Sequence, residues 1–476
     1  MNVNTPVDEA LEQPFVHFLR HLRTEQSALK VRRDGAAAKW DDEQLHKAAF
    51  ERNPQVYALM SMTDAHSWQR ARVLFQLLRS SRLGLDADAR CTLDRVAKAL
   101  IAMLHPDQVF TVFLALKRCR ANHKHTSRHI LDYILNHPCL EDMALKHRPI
   151  LADCIEHALG KNVARACVKM LSEGLSGTPY VRNNLLRFAQ NKERIETIIP
   201  FVFGKGQPPA AGQMYPSQLE FEAKLKGGSE RPATVTATNR GDISATLVHI
   251  YRGGQSPDLV ATLKRYVEDA AVKLPKFDGK IALVLDASAS TRGYGEREFC
   301  CIAQSVALMM VLKKCCSNLS IFQFGGTGDP PAPEGPSDLA VALLDALESD
   351  SEVVAVVSDG YENLFCGDFR KVVASLPHSA VKTPVVFCHS KFTWMDDLTL
   401  RRPTAQLPEL EFWHQAEFEE VVLTLIATAN GATKDDCLRN FLLSKLELRE
   451  KELSITADEL RFHQLIPQYQ QESRSP

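Results

Sequence analysis

The stretch Lys280–Arg292 reads KIALVLDASASTR. Five apolar residues, Ile281 to Leu285, end at Asp286, and serines follow at the alternate positions 288 and 290. A short apolar run closed by turn-forming residues is the pattern of a strand buried on both faces. The carboxylate and the two hydroxyls then stand where that strand leaves the core.

Downstream, strands and helices alternate. REFCCIAQSVALMMVLKKCC reads as a helix, LSIFQF as a strand, SDLAVALLDALES as a helix and EVVAVVS as a strand. DFRKVVASL, TPVVFCH, ELEFWH and EFEEVVLTLIATANG continue as helix, strand, strand and helix. Val- and Ile-rich strands that are apolar along their length, alternating with helices, predict a parallel sheet covered on both faces, a doubly wound α/β domain over 275–431.

Upstream the period differs. DDEQLHKAAFERN, SWQRARVLFQLLRSSRLG, ARCTLDRVAKALIAML, PDQVFTVFLALKRCR, TSRHILDYILNH, LADCIEHAL, NVARACVKMLSEG and YVRNNLLRFAQNKERIETIIPFVFG all carry helical spacing. An all-α region over 1–203, built of stacked antiparallel helices, is expected. It resembles HEAT or armadillo solenoids, without a clean repeat period. Glycines and prolines in GKGQPPAAGQMYPSQ and KLKGGSERP mark a linker and connecting segment over 204–274. Within it ATVTATNRGDISATLVHIY reads as β-rich around a turn or as the start of a helix, and DLVATLKRYVEDAAVKL as a helix. The segment 432–476 reads as a charged helical tail that returns to the helical region, with its end, QQESRSP, expected to be disordered.

Composition bounds the partners. The 476 residues are 45% hydrophobic and 24% charged, with a formal net charge of -1, so no global field draws the chain to nucleic acid or membrane. The N-terminus lacks a signal-peptide pattern and no apolar run spans a bilayer, which predicts a cytoplasmic protein without a membrane partner. Twelve cysteines with no C-x-x-C pair fit reduced thiols. The pairs Cys300-Cys301 and Cys315-Cys316 read as small packed residues rather than redox or metal groups.

Ligands of a doubly wound sheet sit at the carboxyl ends of its strands. Asp286, Ser288 and Ser290 follow the first strand, Ser337 opens a helix in GPSDLAVAL, and Asp359 follows EVVAVVS. Hydroxyl and carboxylate oxygens suit a hard cation such as Mg2+, and neutral hydroxyls leave its charge available to a ligand's carboxylate. D-x-S-x-S, then a hydroxyl residue in a G-x-[ST]-D-L loop, then S-D-G, resembles the metal-ion-dependent adhesion site of von Willebrand factor A domains. The resemblance implies that Ser288 and Ser290 ligate Mg2+ (or Mn2+) directly, that Ser337 replaces the usual threonine, and that Asp286 and Asp359 act largely through water. Ala289 and Thr291 replace a common glycine and methionine outside the coordinating set.

A second signal is basic. LKRCRANHKHTSRH clusters Lys117, Arg118, Arg120, Lys124 and Arg128, a pattern that serves either as a solvated inter-helix face or as a phosphate-binding patch. Lys30, Arg32 and Arg33, and Arg182, Arg187, Lys192 and Arg194, add further positive residues. His123 and His125 lack a third ligand at metal spacing. No P-loop, H-E-x-x-H or G-x-S-x-G motif is present, so no enzyme activity and no catalytic residue is expected.

Helices followed by an A-type domain also resemble the architecture of Ro (TROVE-module) proteins, which implies a structured-RNA partner. A third resemblance, to A-domain adaptors of MoxR-type AAA+ ATPases, implies an ATPase partner. The leading expectation is a non-enzymatic scaffold whose A domain binds an Asp or Glu of a protein ligand through the cation.

Overall fold

The computed structural model describes residues 14–24, 42–210, 242–254, 256–398, 401–431 and 434–472, with side chains in the last segment described to residue 454. The chain divides into two compact units, 1–228 with 442–476, and 229–441. Lys30, Arg32, Arg33 and the β-rich ATVTATNRG segment lie outside the described residues.

The first unit is helical. Its described helices are α1 (Pro14–His21), α2 (Glu43–Arg52), α3 (Pro54–Met60), α4 (Ser67–Arg79), α5 (Ala87–Met103), α6 (Pro106–Arg118), α7 (Lys124–Asn136), α8 (Leu140–Leu159), α9 (Lys161–Ser172), α10 (Pro179–Asn184) and α11 (Lys192–Val202). Side-chain caps set several starts. The Asn53 carboxamide accepts from Gln55 and Val56 N–H, Asp86 accepts from Ala89 N–H, and His105 forms a capping box with Gln108 ahead of Pro106.

Each helix packs on helices one to three places away in sequence. The apolar stripes close between them: Val73, Leu74, Leu77 and Leu78 of α4, and Leu93, Val96, Ala97 and Leu100 of α5, are all buried. Helix α8 kinks at His147, two residues before Pro149, whose ring and missing N–H break the ladder.

YVRNNLLRFAQNKERIETIIPFVFG, read as one helix, is two. A 3-10 turn at Leu186–Phe188 separates α10 from α11, and Asn191 starts the second by accepting from Arg194 N–H at 3.0 Å. Local capping outweighs the shared apolar period there. The chain's final helix, α18 (Lys434–Glu472), contributes its later part to this unit, where Arg95 of α5 grips Glu450 through two hydrogen bonds of 3.0 and 2.7 Å. The later part of the tail is thus grouped with the helices of the first unit. Gln470 to Glu472, expected to be disordered, are helical, and 473–476 lie outside the described residues.

Asp94 on α5 accepts from Arg82 at 2.5 Å and His129 at 3.0 Å. Burial alone would raise its pKa, but these hydrogen bonds and the Arg82 charge hold it well below the usual carboxylate range. A depressed carboxyl contributes stability above its unfolded pKa of about 3.9 and loses it as pH falls further. Urea unfolding of Asp94→Asn is expected to show a smaller loss of midpoint between pH 6 and pH 3 than the parent. An equal loss in both would rule out this contribution.

The second unit opens with α12 (Ile243–Tyr251) and α13 (Pro257–Val272), both packed on α14 (Cys300–Cys315). DISATLVHIY is thus helical, capped by the Asp242 carboxylate, which accepts from Ala245 N–H at 2.5 Å. Five strands form the sheet: β1 (Phe277–Asp286), β2 (Cys316–Phe324), β3 (Val353–Ser358), β4 (Val385–Ser390) and β5 (Glu409–Phe412). Their order is β2-β1-β3-β4-β5, and every pairing is parallel.

One face of the sheet, with Ala282, Val284, Val354, Val356, Val385 and Phe387, packs on α15 (Leu339–Leu347) and α16 (Asp368–Ser375). α14 and α17 (Phe418–Thr428) also pack on its strands. Cys300, Cys301, Cys315 and Cys316 are buried free thiols, consistent with their reading as packing residues. From β1 the chain steps outward to β2, then returns across β1 to β3, so the topological switch point lies between the carboxyl ends of β1 and β3.

Candidate cation site at the carboxyl edge of the sheet

Asp286 is the last residue of β1 and Asp359 immediately follows β3, which places both carboxylates at the switch point. Asp286 is fully buried. Its Oδ1 accepts from Ser288 N–H at 2.9 Å and its Oδ2 from the Ser358 hydroxyl at 2.5 Å. Ser288 and Ser290 meet through their hydroxyls at 3.0 Å.

Two backbone bonds fasten the segment carrying Ser337 to this turn: Glu334 N–H donates to Ala287 O at 3.1 Å, and Ala289 N–H to Gly335 O at 3.0 Å. Gly325 permits that approach, because a Cβ there would lie 2.8 Å from Ser288 N and 2.7 Å from Glu334 O. Ser337 is itself fully buried and joins the third loop by accepting from Asn363 N–H at 2.6 Å. All five residues expected at this site are thus carried by three mutually bonded loops.

Asp359 differs from its neighbours. Its Oδ1 accepts from Tyr361 N–H at 3.0 Å, whereas its Oδ2 is buried without a hydrogen-bond partner. Burial pushes both acids above the usual carboxylate range; the charge of Asp286 adds to the rise at Asp359, and the Tyr361 N–H, the Ser290 hydroxyl and the Arg401 charge offset it only in part. Buried carboxylates facing one another need a proton or a cation between them. Arg401 does not fill that role. Its guanidinium bonds Asp396 at 3.1 Å, reaches only the backbone oxygen of Asp359 at 3.4 Å, and stacks over Tyr361 and Phe392 at 5.5 Å each.

Two carboxylates and three hydroxyls, with one oxygen orphaned, fit a hard divalent ion in donor type. Ser358, which the sequence reading passed over, also holds this loop, since its hydroxyl donates to Asp286 and accepts from Gly360 N–H at 3.0 Å. Its position directly before Asp359 in VVSDG was the available signal.

The basic cluster divides. Lys117 pairs with Asp153 at 2.7 Å, while Arg118 and Arg120 are exposed near the end of α6. Lys124 and Arg128 line a groove of about 690 Å³ together with Arg187, Asn122, Asn184 and Phe188. Arg187 lies 4.5 Å over the Phe188 ring. Arg194 is spent on Glu141 and on the carbonyls of His137 and Pro138. The His123 and His125 rings stack on each other at 5.3 Å.

The sequence matches no protein-family model and no curated protein sequence. Among solved structures, the crystal structure of the Deinococcus radiodurans RO (RSR) protein aligns with 91% of this chain and 100% of that one, at 12% identity and a TM-score of 0.34. The chemistry of the site follows from its own atoms.

Proposed function

We propose that Asp286, Ser288, Ser290, Ser337 and Asp359 hold Mg2+ or Mn2+ in the manner of a von Willebrand factor A domain, and that the protein uses the ion to grip an acidic side chain of a protein partner. The observation that carries this is the buried, unpartnered Oδ2 of Asp359 beside Asp286 and the serine hydroxyls. The ion, when bound, supplies a positive centre for the partner's carboxylate. The chain's own residues contribute preorganised oxygens, held by Ser288 N–H, Tyr361 N–H and Asn363 N–H before any ligand arrives.

The rim favours a protein partner over a small acid. Tyr294 after β1, Tyr361 and Phe365 after β3, and Trp394 and Met395 after β4 are large apolar residues left exposed on the loops at this edge. Aromatic and methionine side chains around a polar centre are the composition of protein-binding surfaces. Pull-down with the full chain is expected to recover a partner in Mg2+ and to lose it in chelator. Recovery unaffected by chelator would overturn the reading.

A second reading, RNA binding by the helical unit, is favoured by the groove of Lys124, Arg128 and Arg187. Phosphate contacts release counterions, so affinity should fall steeply with salt. Reversing Lys124 and Arg187 to Glu is expected to weaken structured-RNA binding by at least about tenfold and to flatten its salt slope. RNA binding unchanged in the double variant would exclude this groove.

A further inference from the structure

The helical unit gathers a second set of metal-binding groups. His21 ends α1, Asp42 directly precedes α2 and His46 lies in its first turn; one nitrogen from each histidine and one Asp42 oxygen all stand within 4.8 Å of one another. His21 Nε2 is 2.5 Å from Asp42 Oδ2, and His46 Nε2 is 3.8 Å from the same oxygen. Asp42 is 8% exposed and His46 4%.

Hydrogen bonding within this cluster does not close. His46 uses Nδ1 on the Tyr57 hydroxyl at 2.8 Å, while its Nε2 is buried and, apart from a loose approach by the Gln69 side chain, has no hydrogen-bond partner. His21 Nε2 faces both Asp42 Oδ2 and the Gln69 amide nitrogen, the latter at 3.2 Å. A carboxylate only accepts and an amide nitrogen only donates, so one ring nitrogen cannot satisfy both. Gln69 is fully buried and its Oε1 also lacks a partner. Interiors rarely leave such groups unmatched.

A cation among the three residues would answer the mismatches at both histidines, and at Gln69 if its oxygen joined the ligands. It would take the lone pairs of His46 Nε2 and His21 Nε2 together with Asp42 Oδ2. With the Gln69 amide turned over, its oxygen occupies the place where its nitrogen now meets His21.

We propose that His21, Asp42 and His46 form a second metal site, for a borderline first-row divalent ion such as Zn2+. Around tetrahedral zinc, with bonds of roughly 2.0–2.1 Å, neighbouring ligand atoms stand roughly 3.3 Å apart, and the two observed separations bracket that spacing. The supports around a metal centre are present as well. Tyr57 orients His46, the Arg72 guanidinium holds Asp42 through the other oxygen, Oδ1, and the Phe18 ring meets His46 edge-on at 5.1 Å. Arg72 cancels the Asp42 charge. The site therefore disfavours Mg2+, which relies on anionic oxygens, and selects an ion bound well by imidazole.

The test uses the full chain, stripped of metal and carrying Asp286→Ala to silence the sheet-edge site. It should bind one equivalent of Zn2+ in excess Mg2+, and Co2+ in its place should show tetrahedral visible bands without thiolate charge transfer. His46→Gln and His21→Gln should each weaken Zn2+ by more than about 100-fold, beyond the loss expected from an outer-shell partner. If the buried His46 variant fails to fold, the His21 variant decides alone. Absence of Zn2+ binding over Mg2+, unchanged affinity in folded His21→Gln, or a thiolate band that assigns the metal to cysteine would each overturn the proposal.

Discussion

Asp359→Asn is expected to abolish the rise in melting temperature that Mg2+ produces, while leaving the metal-free protein at least as stable as the parent. The carboxylate of Asp359 is fully buried, its Oδ2 has no hydrogen-bond partner, and it faces the equally buried Asp286. In the metal-free state the second charge is a cost, and an amide removes it while keeping an oxygen for Tyr361 N–H. With metal the same charge is what attracts the ion. Mg2+ at about 100 times its Kd would stabilise the parent by about 2.7 kcal/mol. For a unit of this size that is a shift of about 5–11 °C, read by calorimetry with and without chelator. An ordinary turn residue predicts no metal-dependent rise in either protein. An equal rise in parent and variant would exclude Asp359 from the site.

Gly360→Ala should be the most damaging single-methyl change at the sheet edge. Gly360 has φ +83°, and a Cβ there would overlap the carbonyl oxygen of Arg401 and stand 2.6 Å from His389 Cε1. The left-handed backbone costs an L-residue roughly 1–2 kcal/mol, and overpacking against backbone adds roughly 1–3 kcal/mol. A loss of about 3 kcal/mol in urea unfolding is therefore expected, together with loss of the Mg2+ response, because Asp359 is the adjoining residue. Gly295→Ala is the control. Its φ is +63°, but nothing lies within 4 Å of the added carbon, so only the backbone cost applies. Equal losses in the two variants would show that the close approach at Gly360 carries no energy.

Much of this fold was legible because its signals are local. IALVL and VVAVVS are apolar at every position, as strands covered on both faces must be, and SWQRARVLFQLLR repeats its apolar residues at the spacing of a helix turn. Where local signals compete, the reading failed. Residues 179–202 keep a helical period, yet Asn191 offers the backbone a cap and the segment breaks before it. DISATLVHIY was ambiguous because its β-branched residues suit either state, and the Asp242 cap made it a helix.

The sequence by itself determined a helical region, an alternating α/β unit and the five oxygen-bearing side chains at loop positions after or between its strands. Only the tertiary structure decided that those five converge. Strand order put β1 beside β3, and the crossing bonds from Glu334, Ala289 and Asn363 drew in the segment carrying Ser337. It also decided which polar atoms lack partners, including Asp359 Oδ2 and His46 Nε2. His21, Asp42 and His46 could not be read together beforehand, since His21 ends one helix, the other two stand at the start of the next, and His21 lies 21 positions before Asp42. Whether a buried group is satisfied depends on what chain-distant segments place against it, and no local pattern records that.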